Sequence, residues 1–423
     1  MNLFKNIKNA GWGLLTATLF LSACNKLELA GVPNAVPVQG TTPTLATLLD
    51  DPSFSILKAA VERAGLAAPA GRPTLLQQLG NPAQRFTVFA PDDASFIASG
   101  VPSAAAIGTL PVATVFGIVS YHVVPQEIRS GSIATTFPNF QYPTILNPNP
   151  AASALLRLTT FPSVRSNGAW VNNIPITAVN INAVNGVLHK VARIVAPPSV
   201  DLWAAINADA QLTYLRAALQ RADSGIAVGA RLQDALSIAA NPSAIGSNLT
   251  IFAPTDDAMK AFLTRAITGA LMAQGLDQAT AFGQASFLVN SVGTLLLTNP
   301  GAISPALAVA LSPTTVRGLL AYHVISSQRG SFAPPGIRIF SVNIPTTATL
   351  VRTLLNSVVA VHPGVTVQAT FVPGLPVVGA ITVKGAANAT ASNVLISFTP
   401  PFTSDLHQVN GVIHKIDQVL IPQ

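Results

Sequence analysis

Charge is what this sequence has least of. Only 9% of its 423 residues are Asp, Glu, Lys or Arg, against roughly 25% in an ordinary globular domain. The net charge is +7, with Lys5 and Lys8 contributing two of those charges. No run of Lys and Arg occurs, and no basic stretch interleaved with aromatics, so a nucleic-acid partner is not expected. One cysteine, Cys24, rules out an intramolecular disulfide. Six histidines and 16 acids leave few groups for acid–base work. There is no G-x-S-x-G, H-E-x-x-H, Walker loop or dinucleotide fingerprint. Ser55-Ile56-Leu57-Lys58 fits an S-x-x-K pattern, but the S-D-N and K-T-G that accompany it in penicillin-recognising enzymes are missing. No catalytic residue, metal or cofactor is therefore expected.

What is abundant is apolar and turn-forming: 49% hydrophobic residues with 33 prolines and 29 glycines. Such a chain buries a large core and shows solvent Ser, Thr, Asn, Gln and Ala; it is the opposite of a disordered composition. Residues 1–23 read as a signal peptide, with a basic start, an apolar stretch in "GWGLLTATLFL" too short to span a bilayer, and small residues before Cys24. Leu21-Ser22-Ala23-Cys24 resembles the lipobox of bacterial lipoproteins. It implies lipidation of Cys24, a membrane partner through that lipid, and a location in the bacterial cell envelope, at the outer membrane, facing the periplasm or the surface. Residues 24–43, rich in Pro and Gly, read as a tether.

The rest of the chain repeats itself. "FSILKAAVERA" (54–64) matches "LTYLRAALQRA" (212–222), both with the apolar spacing of an amphipathic helix. "FTVFAPDDASF" (86–96) matches "LTIFAPTDDAM" (249–259), each a strand ending at Pro with Asp92 or Thr255 placed to cap a helix. "YHVVPQEIRSGSI" (121–133) faces "YHVISSQRGSF" (322–332), and "VNGVLHK" (184–190) faces "VNGVIHK" (409–415). The offset between copies grows from 163 at the FAP phrase to 201 at Tyr-His and 225 at Asn-Gly. The second copy thus carries about 38 and then about 24 extra residues, near 264–312 with helical spacing and near 333–400 with strand-like "VTVQATF" and "NVLISF".

These four landmarks, in this order and twice over, resemble the fasciclin domain. The resemblance implies an α+β fold of two tandem fasciclin-like domains, 44–198 and 199–423, each a wedge of β-sheet with a group of helices packed along it. It also implies adhesion or extracellular ligand binding, with cell-surface proteins or envelope and matrix polysaccharides as partners. In some members of the family the Tyr-His motif is linked to receptor binding, which makes Tyr121, His122, Tyr322 and His323 the candidate ligand-binding residues. A structural role, tying helix to sheet, competes with that one. Since neighbours on a strand point to opposite faces, one ring of each pair is expected inside and the other in solvent.

Asn185-Gly186 and Asn410-Gly411 each read as a type I′ hairpin turn. In the strand that follows, His189 shares a face with Val187 and Val191, and His414 one with Val412 and Ile416, as hydrogen-bonded core residues. Paired Asp92/Asp93 and Asp256/Asp257 are adjacent at helix starts and point apart, which argues against a metal. The competing readings are an envelope hydrolase built on Tyr-His and a purely structural envelope component.

Overall fold

Each half is built on a strand buried at every position, Phe86–Pro91 in the first and Leu249–Pro254 in the second. The computed structural model describes residues 42–422 except 138, 152, 243–246, 326–337, 373–377 and 398–400. The segment expected to be a signal peptide, Cys24 and the expected tether up to residue 41 lie outside the described residues.

In the first half, β1 (Phe86–Pro91), β2 (Val123–Val124), β5 (Pro162–Arg165), β6 (Gly168–Val171), β7 (Ile174–Ala183) and β8 (Gly186–Val191) form one sheet in the order β2-β1-β8-β7-β6-β5. A small antiparallel pair, β3 (Tyr142–Pro143) and β4 (Thr159–Thr160), sits beside it. β1 and β8 run parallel with Phe86 opposite Gly186, and β7–β8 is an antiparallel hairpin. In the second half, β9 (Leu249–Pro254) and β10 (Val324–Ile325) join β15 (Leu406–Gln408) and β16 (Gly411–Ile416) in the order β10-β9-β16-β15. β9 and β16 repeat the parallel pairing, Leu249 opposite Gly411. A second sheet holds β11 (Thr349–Val351), β12 (Val365–Phe371), β13 (Val378–Lys384) and β14 (Ser392–Asn393). The "VTVQATF" expected as a strand is β12; of "NVLISF" only Asn393 lies in a strand and Val394 in an isolated bridge to Ile416.

Both amphipathic helices form where their periodicity places them, Ser55–Ala64 and Thr213–Ala222. Their buried faces pack with Phe86, Val88 and Ala90 in the first half and with Leu249, Ile251 and Ala253 in the second. The opposite face of each sheet is covered as well, Phe89 by Tyr121 and Phe252 by Tyr322 with its neighbours. Strands covered on both sides read as continuous apolar runs. In β8 every residue from Gly186 to Leu188, His189 and Val191 is accordingly buried, with Lys190 half-buried over the Phe54 ring. In β16 all six residues are buried, and Lys415 is held by Asp209 at 2.5 Å and by Gln211.

The first insert is helical. Where the first half has the helix Asp93–Ala98, the second has Asp256–Ala273 followed by Gln278–Val292, which pack against each other. No helix among the described residues is long and apolar enough to cross a membrane. From Pro43 onward the chain is one compact unit.

Candidate functional site: the repeated Tyr-His and Asn-Gly motifs

Each Asn-Gly motif does form a hairpin, but with a different turn. Ala183 pairs with Gly186 and Gln408 with Gly411, so the connecting residues are Val184-Asn185 and Val409-Asn410 rather than Asn-Gly. Neither Asn takes a positive φ, and the type I′ turn is thereby excluded, since it needs one at both central positions. The Asn side chain turns inward instead. Asn185 Oδ1 accepts from the Leu45 N–H at 2.8 Å while its Nδ2 donates to the carbonyls of Leu79 and Asn81. Asn410 does the same with the Leu202 N–H at 2.9 Å and the Leu236 carbonyl at 3.0 Å. A fully buried amide thus pins two helices to the end of the central strand. Removing it leaves buried donors and acceptors without partners, at 1–3 kcal/mol each. Asn185→Ala is expected to cost about 3 kcal/mol, read as a lowered denaturation midpoint; a loss under about 1 kcal/mol would show that water replaces the clamp.

The histidine of the same phrase is satisfied at both nitrogens. His189 Nε2 donates to the Ile128 carbonyl at 2.8 Å and its Nδ1 accepts from the Asn180 N–H. His414 Nε2 donates to Ile339 at 2.8 Å and its Nδ1 accepts from Asp405. Asn180 and Asp405 both sit at positive φ, 59° and 53°, a conformation that Asn and Asp tolerate better than other side chains. Each also grips a serine, Asn180 the Ser130 N–H and Asp405 the Ser341 N–H. These bonds correct one pairing of the repeats. The structural counterpart of Ile128–Ile133 is Ile339–Ile344, where Thr87 and Thr250 receive the N–H groups of Ile128 and Ile339. The "SSQRGSF" stretch that looks equivalent in sequence falls on residues 326–332, outside the described residues.

In both Tyr-His pairs the tyrosine and the histidine are at most 2% exposed. The expectation of one ring inside and one in solvent fails because Tyr121 ends the helix Val112–Tyr121 and His122 caps it, and Tyr322 likewise caps Pro313–Ala321. Strand alternation does not apply there. His122 Nδ1 donates back to the Ile118 carbonyl at 2.8 Å and its Nε2 accepts from the Val195 N–H at 2.9 Å. His323 repeats this with Leu319 and Leu420, both at 2.9 Å. Each imidazole therefore ties its helix to the last segment of its half as the neutral tautomer with the proton on Nδ1. Burial pulls His122 and His323 down to about 4, against the smaller opposite effect of the carbonyl bonds. His189 is lowered in the same way by burial. The Tyr121 hydroxyl donates to the Thr159 carbonyl at 2.7 Å, and burial pushes it up to about 12. Tyr322 donates to the Gly364 carbonyl and accepts from the Ala386 N–H at 2.9 Å; burial raises it too. None of these groups is poised to exchange a proton near neutrality.

The acids behave as expected of neighbours that point apart. Asp92 caps its own helix through the Ser95 N–H, while Asp93 reaches back to Ser55 Oγ at 2.6 Å and the Ile56 N–H at 2.8 Å. Asp256 takes Thr213 Oγ1 and the Tyr214 N–H at the same two distances. Ser55 is thus a helix-start hydroxyl engaged by a carboxylate. Its partner Lys58 pairs with Asp50 in solvent.

One feature had no signal in the repeats. Arg338 is buried, and His407 half-buried, where the two halves meet. The Arg338 guanidinium lies 4.8 Å from the Phe161 ring centroid and donates to His407 Nε2 at 2.6 Å, to Asn248 Oδ1 at 2.8 Å and to the carbonyls of Gln408 and Val409. Around them Asn343 donates to Ser163 Oγ at 2.7 Å, Asn139 bonds Asn343, and Asn248 bonds Gln141. The only hint in the sequence is a lone cation in the uncharged stretch "APPGIRIFSVNIPTT".

The model of the Fasciclin domain family matches residues 52–197. Among solved structures, the FAS1 domain pair from the insect cell adhesion molecule Fasciclin I is similar at 14% identity, covering 80% of this chain and 88% of that one, with a TM-score of 0.30. The second half repeats the parallel central pair, the Asn clamp, the Asp-to-helix clamp and both histidine ties of the first. Residues 52–197 match the fasciclin domain, and the second half repeats their framework of strands and bonds.

Proposed function

We propose that this protein is a non-enzymatic adhesion or ligand-binding module, tethered to the cell envelope through a lipid on Cys24, whose contact surface lies in the segments that the second domain does not share with the first. Fasciclin domains are associated with cell adhesion or ligand binding. The observation that carries the reading is the burial of all four motif imidazoles with both ring nitrogens bonded. A tyrosine–histidine pair at most 2% exposed, with both ring nitrogens already bonded, offers a hydrolase no free general base. The unshared segments, by contrast, present large apolar side chains to solvent: Phe282 and Phe287 on the helical insert, Val358 and Val361 beside the second sheet. Contact surfaces are built from exposed apolar side chains grouped on one segment, and these are so grouped. Proteins of the cell surface or envelope polysaccharides are the partners this reading calls for.

Beads coated with the purified chain and challenged with cell layers and immobilised polysaccharides are expected to be retained. Phe282→Ser with Phe287→Ser, or Val358→Ser with Val361→Ser, is expected to reduce retention severalfold at an unchanged denaturation midpoint. Retention that survives both pairs of changes removes the inserts as the contact surface. Failure of the uncoated-bead comparison to differ from the coated beads removes adhesion itself.

A further inference from the structure

The residues beneath the first domain on the second have counterparts in the first, and the comparison is informative. By the matched bonds above, Arg338 stands where the first domain has Glu127, His407 where it has Asn182, and Asn248 where it has Arg85. There the cluster is a surface one: Arg129 pairs with Glu127 at 2.6 Å and donates to Asn182 Oδ1 at 2.8 Å, and Arg85 lies 4.0 Å from Glu127. In the second domain the acid has become a buried cation, the amide an imidazole, and the first domain covers both. No carboxylate among the described residues pairs with Arg338, and its Nε is buried without a hydrogen bond among them.

The imidazole can serve here only while neutral. His407 Nε2 is the acceptor for the Arg338 guanidinium at 2.6 Å, so its lone pair is occupied. The other groups facing His407 are the Tyr121 ring at 6.3 Å, from the end of a first-domain helix, and the Phe340 ring at 5.3 Å, edge-on. The Asp405 carboxylate, two residues away, is taken up by the Ser341 N–H and hydroxyl. Nothing there compensates a second positive charge, and two cations in hydrogen-bond contact in a water-poor seam repel strongly.

We propose that the Arg338–His407 contact is an acid-sensitive latch between the two domains: protonation of His407 at Nε2 breaks it, and the domains separate along the seam while each stays folded. The proton comes from solvent and goes to Nε2; the bond that breaks is the Arg338 Nη1–H donation. Separation exposes Tyr121, Phe161, Trp170 and Phe340, an aromatic surface covered at neutral pH. Burial and the guanidinium both hold His407 well below its ordinary value in the closed seam. Each pH unit below about 6.5 therefore shifts the balance tenfold toward the open form, until the closed form can itself take the proton. The proposal is independent of what the contact surface binds.

Hydrogen exchange of the intact chain, corrected for the intrinsic rate at each pH, tests it. Between pH 7 and pH 5 the segments 159–171 and 339–344 are expected to lose at least tenfold protection and to fall below helices Ser55–Ala64 and Thr213–Ala222, which exchange only through global unfolding. His407→Gln, which still offers Arg338 an acceptor but cannot take a proton, is expected to keep the seam protected at pH 5. If that variant does not fold, small-angle scattering of the wild type replaces it. A larger radius of gyration at pH 5 with unchanged helical dichroism supports the latch. Seam and helices equally protected at pH 5, no loss in the seam at all, or an equal loss of seam protection in His407→Gln overturns it.

Discussion

Lowering the pH from 6.5 to 4 is expected to remove on the order of 6 kcal/mol of folding stability, half through His122 and half through His323. Both are fully buried and held at about 4 in the folded protein, against about 6.5 when unfolded. A separation of that size is worth roughly 3 kcal/mol per group at 1.36 kcal/mol per unit. The sign follows from which state binds the proton. The folded state keeps each imidazole neutral, with Nε2 already accepting from the Val195 or Leu420 N–H, so below 6.5 the unfolded chain takes up protons that the folded chain refuses. Stability is complete above about 6.5, falls as the pH drops toward 4, and levels off below that. His189, lowered in the same direction, adds to the loss. The window from pH 6.5 to 5 isolates the effect, because exposed carboxylates stay ionised there. Urea titrations at pH 7, 6, 5.5 and 5 measure it, and a midpoint that does not move across that series would refute the assignment of these histidines as neutral ties.

Gly186→Ala is expected to cost roughly 3–5 kcal/mol, from backbone strain of 1–3 kcal/mol and overpacking of similar size. Gly186 sits at φ +144°, and a Cβ there would lie 1.9 Å from the Phe86 carbonyl oxygen of the parallel neighbour. The obstacle is backbone in the middle of the sheet, so nothing nearby can rotate away. Gly411→Ala is expected to cost less. Its φ lies outside the strained range, and its Cβ would meet the Leu249 carbonyl oxygen at 2.5 Å and the movable Leu202 side chain. The control is Gly117→Ala, inside the helix Val112–Tyr121 with nothing within 4 Å. That change is expected to be neutral or to stabilise by about 0.4–1 kcal/mol, since Gly is the poorer helix former. The three denaturation midpoints should fall in the order Gly186→Ala, Gly411→Ala, Gly117→Ala from lowest to highest. Equal values for the first and the last would remove the close approach as the reason glycine stands at 186.

The doubled architecture was legible in the amino-acid order because each unit is built from local patterns written twice. Helical spacing in "FSILKAAVERA", a capping Asp or Thr after a buried strand, and the helical spacing of the insert all act over a few residues, and each element lies where its pattern puts it. The histidines of the final hairpin were placed correctly in the core for the same reason. Their partners, the carbonyls of Ile128 and Ile339, were not visible, since those lie 61 and 75 residues away. Motif matching went astray where bonding, rather than residue identity, defines equivalence. "SSQRGSF" looks like "EIRSGSI", but Ile339–Ile344 makes its bonds. The two-residue period failed at Tyr-His because that pair ends a helix.

What the order of residues determined alone was the count of domains, their helices and central strands, the capping acids, and the scarcity of catalytic groups, because propensity, periodicity and composition are properties of short windows. Only the tertiary structure decided that Asn185 clamps helices instead of making a turn, that Tyr121 and His122 are both enclosed, and that Arg338 meets His407 beneath the first domain. Those outcomes depend on which distant backbone groups need a partner and which surfaces come to cover one another. A window of a dozen residues carries no trace of either.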